Sequence, residues 1–150
     1  SWRILRAPSL TDQIYIKAKR IRSIEENGTR KVEEVIRPEF IGIVNYSVLA
    51  LVQLELGSEE NLELNEAEAL MLYEKHLKSA RDLMMNKNHD YDEAWRNMRI
   101  SSYTDIILMK LMRIKQIEDR AGETLVSEGV DANYRDIINY ALFALIKLEE

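Results

Sequence analysis

The chain of 150 residues contains no cysteine, and only 2 prolines, 5 glycines and 2 histidines. Without thiols there can be no disulfide, thiolate zinc site or cysteine nucleophile. So few glycines and prolines exclude collagen and argue against a turn-rich β-sandwich, and 46% hydrophobic with 31% charged residues argues against disorder. The longest uninterrupted apolar run is Ala141 to Ile146, extended only by Tyr140, against the roughly 18 consecutive apolar residues that a membrane span requires. No signal-peptide pattern follows the opening Ser-Trp-Arg-Ile-Leu-Arg, so the expectation is a soluble, cytoplasmic protein with no membrane partner, and the missing initiator methionine points to a trimmed start. With 21 basic and 26 acidic residues the net charge is −5, which argues against nucleic acid as a partner. What is present is a chain long enough to bury about two thirds of its unfolded surface, with helix-favouring composition.

Self-similarity is the strongest signal. At a shift of 93, Trp2, Arg3, Arg6, Ser9, Thr11, Asp12, Ile14, Lys17, Arg20, Ile21, Ile24 and Glu25 recur as Trp95, Arg96, Arg99, Ser102, Thr104, Asp105, Ile107, Lys110, Arg113, Ile114, Ile117 and Glu118, 12 identities in the 25 positions from Trp2 to Glu26. At a shift of 94, Val32, Glu34, Asn45, Tyr46, Ala50, Leu51, Leu54 and Glu55 recur as Val126, Glu128, Asn139, Tyr140, Ala144, Leu145, Leu148 and Glu149. The chain is read as a tandem duplication, repeat one over 1–57 and repeat two over 63–150, forming a single compact unit packed about a pseudo-twofold axis. Repeat two has an upstream helical segment that repeat one lacks, which predicts about one more helix before Ser1 in the native protein.

Helical periodicity runs through both copies, at Leu10, Ile14, Ala18, Ile21 and Ile24 and at Tyr103, Ile107, Leu111, Ile114 and Ile117. Ser9 with Asp12 and Ser102 with Asp105 read as helix-starting boxes; Asn27-Gly28 and Ala121-Gly122 read as stops. Pro38 suits a first turn and Asp131 a cap for helices over about 38–56 and 132–149, apolar nearly all round and therefore central. Asn65 with Glu68 caps a further helix whose packed seam is Leu70, Tyr73, Leu77, Ala80 and Met84. With no sustained period-two alternation, the expectation is an all-α bundle of five long helices plus a short turn near 92–98.

The duplication kept charges while exchanging apolar residues. Arg96 with Arg99 and Lys110 with Arg113 are spaced three apart, as are Arg3 with Arg6 and Lys17 with Arg20, so each pair shares a face and suits phosphate oxygens. The competing reading makes them structural ion pairs with Asp12, Glu25 and their copies. Asn45 and Asn139, inside apolar helices, need partners, and serve either register or a ligand. Carboxylates suited to a hard cation such as Mg²⁺ include Asp90, Asp105, Glu118, Asp119, Glu128 and Asp136, while His76 and His89 lack ligand spacing for a transition metal. Walker, G-x-S-x-G and dinucleotide motifs are absent.

The run Lys87-Asn-His-Asp90-Tyr91, Ala94-Trp95-Arg96, Ser102-x-Thr104-Asp105, Lys110-x-x-Arg113-Ile114 and Asp136-Ile-Ile-Asn139-Tyr140 resembles the nucleotide modification associated domain family, which is similar to the MazG-like all-α nucleoside triphosphate pyrophosphohydrolases. That resemblance implies a MazG-like bundle able to dimerise, a nucleotide partner, Asp136 on a metal-binding helix, and Lys110 and Arg113 facing the phosphates. The acid pairs of the MazG pattern are incomplete here, Asn133-x-x-Asp136 in one copy and Glu39-x-x-Gly42 in the other. The expected function is nucleotide binding, with Mg²⁺-dependent cleavage of a (deoxy)nucleoside triphosphate between its α- and β-phosphates. The expected metal ligands are Asp105, Glu128 and Asp136; the expected substrate-binding residues are Lys87, Arg96, Arg99, Lys110, Arg113, Lys17, Arg20 and Asn139, with no catalytic residue assigned. The alternative is a noncatalytic helical module that binds nucleotides or another protein.

Overall fold

The computed structural model describes residues 2–28, 31–57, 64–91, 93–120 and 127–150, and among them it is all-helical. Five helices follow in order: α1 (Ala7–Asn27), α2 (Val32–Leu56), α3 (Glu66–Tyr91), α4 (Ile100–Asp119) and α5 (Ser127–Glu149). Short 3-10 turns at Trp2–Ile4 and Ala94–Asn97 lead into α1 and α4. The second of these turns falls where the sequence places one; the first was not anticipated.

Four helices close a ring. α1 packs on α2, α2 on α5, α5 on α4 and α4 back on α1, while α3 lies outside against α5 and α2. The stripe Leu10, Ile14, Ala18 and Ile21 of α1 and its repeat Tyr103, Ile107, Leu111 and Ile114 of α4 are fully buried. They meet Phe40, Ile43, Val48 and Leu51 of α2 and Tyr134, Ile137, Ala141 and Ala144 of α5 in one core. By length and composition alone α2 passes for a membrane-crossing helix, but half of its apolar window is buried, as in a core helix.

Contacts across the α1/α4 seam come in exchanged pairs. Thr11 donates to Glu118 at 2.8 Å and Thr104 donates to Glu25 at 3.1 Å; Lys115 pairs with Asp12 at 3.0 Å and Arg22 with Asp105 at 3.4 Å. The start of each helix thus meets the end of the other, and each contact recurs with its ends swapped, as a twofold operation requires. A second correspondence closes the opposite end of the bundle. Gln53 donates to the carbonyls of Arg3 at 2.8 Å and Leu5 at 2.5 Å, and Lys147, 94 positions on, donates to those of Arg96 and Met98.

The helix starts correct the sequence reading. α1 and α4 begin after Arg6 and Arg99, so Ser9 and Ser102 are already inside the first turn, where their amides bond the carbonyls of Arg6 at 2.9 Å and Arg99 at 3.0 Å. Neither serine caps, because the cap positions, Arg6 and Arg99, lie three residues before them. Pro38 lies within α2, exposed at the point where its missing N–H removes a bond to the preceding turn, and not at a first turn. Asp131 is also inside its helix: α5 begins at Ser127, Gly129 takes φ 96°, and the Asp131 carboxylate accepts the Ala132 amide at 2.9 Å and Arg135 at 3.2 Å. The Asn65 cap forms as read, accepting the Glu68 amide at 2.8 Å, and Gly28 and Gly57 close α1 and α2. Leu70 is exposed, so the packed seam of α3 runs through Tyr73, Leu77, Ala80 and Met84. The Ala121-Gly122 stop lies outside the described residues.

Candidate functional site

A hollow of about 330 Å³ opens between the end of α3, the 3-10 turn before α4, and α5. Its walls are Met84 and Lys87 of α3, Ala94, Trp95 and Met98 of the turn region, and Asp136, Asn139, Tyr140 and Phe143 of α5. The last four share one face because they are spaced three, one and three apart along a helix.

The turn is held in place by bonds from both neighbouring helices. The Tyr103 hydroxyl donates to the Trp95 carbonyl, the Met98 amide reaches the same oxygen at 3.1 Å, and Lys147 grips the carbonyls of Arg96 and Met98. Burial pushes the Tyr103 phenol above its ordinary pKa, which keeps it a donor. The Trp95 ring then stacks on Phe143, centroids 4.3 Å apart and planes 6° from parallel, and the Arg96 guanidinium lies over the indole at 4.5 Å. Tyr140 meets Phe143 edge-on at 5.7 Å. Together these residues form an aromatic wall.

Two buried polar atoms on this wall have no hydrogen-bond partner among the described residues. Asn139 is 5% exposed; its amide nitrogen donates to the Ala80 carbonyl at 2.9 Å, which leaves Oδ1 unpaired. The indole N–H of Trp95, 7% exposed, is unpaired as well. A buried acceptor and a buried donor beside a hollow call for a partner, water or ligand, since leaving either unmade costs about 1–3 kcal/mol.

Charge gathers at the opposite end of the same wall. Lys87 donates to one oxygen of Asp136 at 3.0 Å, and Lys110 of α4 meets the other at 3.1 Å. Sequence reading singled out Lys87, Lys110, Asp136 and Asn139, and the structure brings those four together. Of the remaining predicted ligands, Arg96 lies beside the hollow but is committed to Glu93 at 2.7 Å, Glu150 at 3.4 Å and the indole face. Arg99 is an exposed helix-cap residue and Arg113 is exposed on α4, and neither lines the hollow. Asp105, expected to join Asp136 at a metal, instead pairs with Arg22 and lines a separate hollow of about 290 Å³ with Tyr15, Lys19, Leu108, Met109 and Met112. The Glu128 side chain lies outside the described residues.

Among the described residues no three His, Asp or Glu side chains converge as a metal site would require. Asp136 itself has both oxygens occupied by ammonium groups. With no second carboxylate beside it among the described residues, Asp136 alone falls short of the oxygen ligands that a Mg²⁺ ion takes.

In repeat one the corresponding residues are engaged differently. Lys17 meets Glu39 at 3.5 Å, one turn before the position equivalent to Asp136, and its ammonium sits 5.7 Å from the Tyr46 ring. The equivalent of Asp136 is Gly42, and a Cβ there would come within 2.8 Å of the Lys17 Cε. Arg20 also reaches Glu39, at 3.7 Å, and Asn45 accepts the Tyr73 hydroxyl at 2.6 Å. Lys17 and Arg20, both expected at a substrate, are thus joined to one glutamate.

The aromatic wall is what sequence reading missed. Trp95 and Tyr140 stand out as repeat identities, but nothing in spacing alone tells that they converge with Phe143, Met84 and Met98 on one hollow.

A family model described as Nucleotide modification associated domain 1 matches residues 1–54 and 87–148, one stretch in each repeat. No curated protein and no solved structure matches the chain.

Proposed function

The chain belongs to the nucleotide modification associated domain 1 family, and from that premise we propose that it binds a nucleotide in the hollow between α3 and α5, one ligand per chain. The observation that carries this reading is the pairing of an aromatic wall bearing two unpaired buried polar atoms, Asn139 Oδ1 and Trp95 Nε1, with Lys87 and Asp136 in the same lining and Lys110 held behind them by Asp136. A nucleobase offers ring donors and acceptors for the two unpaired atoms and apolar surface for the rest of the lining. The sugar would lead out past Met98 or Met84, and the phosphate toward Lys87 and Lys110, as compact ammonium donors. A purely apolar ligand would leave both buried polar atoms unmade, and a bare anion would leave the wall empty.

Binding without hydrolysis is the form favoured by the lysine-bridged Asp136, since no described carboxylate is free to hold a cation beside it. The test is thermal stabilisation of the intact chain by a panel of NTPs and dNTPs, in Mg²⁺ and in EDTA, with pyrophosphate release followed in the same samples. A nucleotide-dependent rise in Tm that persists in EDTA without pyrophosphate release is expected. Release of pyrophosphate in Mg²⁺ would establish the hydrolase instead, and no stabilisation by any nucleotide would refute the site.

A further inference from the structure

Asp136 is placed where a phosphate would be expected. Its two oxygens each take one ammonium, Lys87 at 3.0 Å and Lys110 at 3.1 Å; Asp136 and Lys87 line the hollow, Lys110 stands behind them, and the Asp136 side chain is 17% exposed. A carboxylate and a phosphate both offer two oxygens on one atom at similar spacing, so a ligand that uses these lysines must replace the aspartate or share them with it. Repeat one shows that neutralising this lysine is a repeated device. Lys17, the equivalent of Lys110, is also met by an acid from the central helix, but from Glu39, one turn away from the position equivalent to Asp136. The two copies use different positions for the same pairing, which points to the lysine as the group being served and not to a fixed cation site.

We propose that Asp136 is an internal competitor for the two lysines of the nucleotide site, an autoinhibitory counter-ion that holds off small anions and gives way to a ligand that also fills the aromatic wall. The inference rests on the nucleotide reading above. Its consequence is opposite in sign to that of a metal ligand or a structural pair: neutralising Asp136 leaves the lysines unopposed and strengthens anion binding. Inorganic phosphate and pyrophosphate, which carry charge but no base, are excluded from the native site by the same competition.

The experiment is calorimetric titration of the intact chain and of Asp136→Asn with inorganic pyrophosphate and with the best-binding dNTP of the panel, all in EDTA, with Tm recorded for each protein. The expected result is pyrophosphate binding about tenfold tighter in Asp136→Asn, the scale of one charge interaction at a partly exposed site, with the dNTP also tighter. Lys87→Met, at the exposed rim, should weaken both. If Asp136→Asn does not fold, Asp136→Ser serves the same comparison. Unchanged affinity with a lowered Tm would make Asp136 a structural pair and overturn the inference while leaving nucleotide binding intact. Loss of a Mg²⁺-dependent affinity in Asp136→Asn would make it a metal ligand and overturn it too. Binding of neither ligand by either protein would overturn it together with the reading it rests on.

Discussion

Thr11 on α1 donates its hydroxyl to the Glu118 carboxylate on α4 at 2.8 Å, and the same Thr11 oxygen is hydrogen-bonded to the Tyr134 hydroxyl of α5. Three helices meet at that one oxygen. The exchanged partner of the first contact, Thr104 with Glu25, has no tyrosine beside it because Phe40 stands where repeat two has Tyr134.

Burial raises the Glu118 carboxyl from 4.5 to about 6, against the lowering effect of the Thr11 bond, and raises Glu25 in the same direction. An acid whose folded pKa is raised keeps its proton longer when folded, so its contribution is present below about pH 4.5 and is lost as pH rises through about 6. Stability should therefore fall most steeply between pH 4.5 and about 6. With the shift discounted for a half-exposed group, the loss is about 1 kcal/mol, or roughly 2–4 °C in Tm. Glu118→Gln should flatten that part of the Tm-against-pH profile; an unchanged slope would place its origin elsewhere.

Gln53 is 3% exposed and donates to two carbonyls of the first turn, while its own oxygen accepts from Arg3. Gln53→Ala leaves those groups buried without it and should cost about 2–3 kcal/mol. The equivalent Lys147→Ala should cost less, because Lys147 is only half-buried and water can replace it. Urea denaturation of the two variants checks the order; equal costs would contradict it.

Phe143→Ala removes the ring stacked on Trp95 and widens the hollow. A loss of about 3–5 kcal/mol is expected, and nucleotide affinity should fall with it because Trp95 loses its support. A variant that is destabilised but binds normally would separate the stack from the site.

Repeat one should take no ligand, since the Asn45 oxygen, equivalent to the unpaired one of Asn139, is already bonded to Tyr73. Titration of the native chain should saturate at one nucleotide per chain. Two equivalent sites would show that Tyr73 gives up the Asn45 oxygen to a ligand.

Much of the architecture was legible because it is carried by periodic patterns. The buried stripes of α1 and α4, the Asn65 cap and the glycine stop at 28 each state their physics locally. Helix starts were less legible, because Arg6 and Arg99 make no side-chain cap bond and leave no mark in the sequence, whereas Ser9 and Ser102 resemble caps. Lys87, Lys110, Asp136 and Asn139 could be named, but not that Lys87 and Lys110 would hold the same aspartate, nor that Asp105 would turn to Arg22. Those outcomes depend on which helix crosses which, through residues far apart in the chain.

The most direct measurement is the fluorescence of Trp95, isolated by Trp2→Phe in a chain with 2 tryptophans, during titration with NTPs and dNTPs in EDTA. A saturable change in Trp95 emission, abolished by Asn139→Leu in protein that remains folded, is the predicted result. Emission that stays flat while nucleotides bind by calorimetry would place the ligand elsewhere, and no binding at all would contradict the nucleotide site itself.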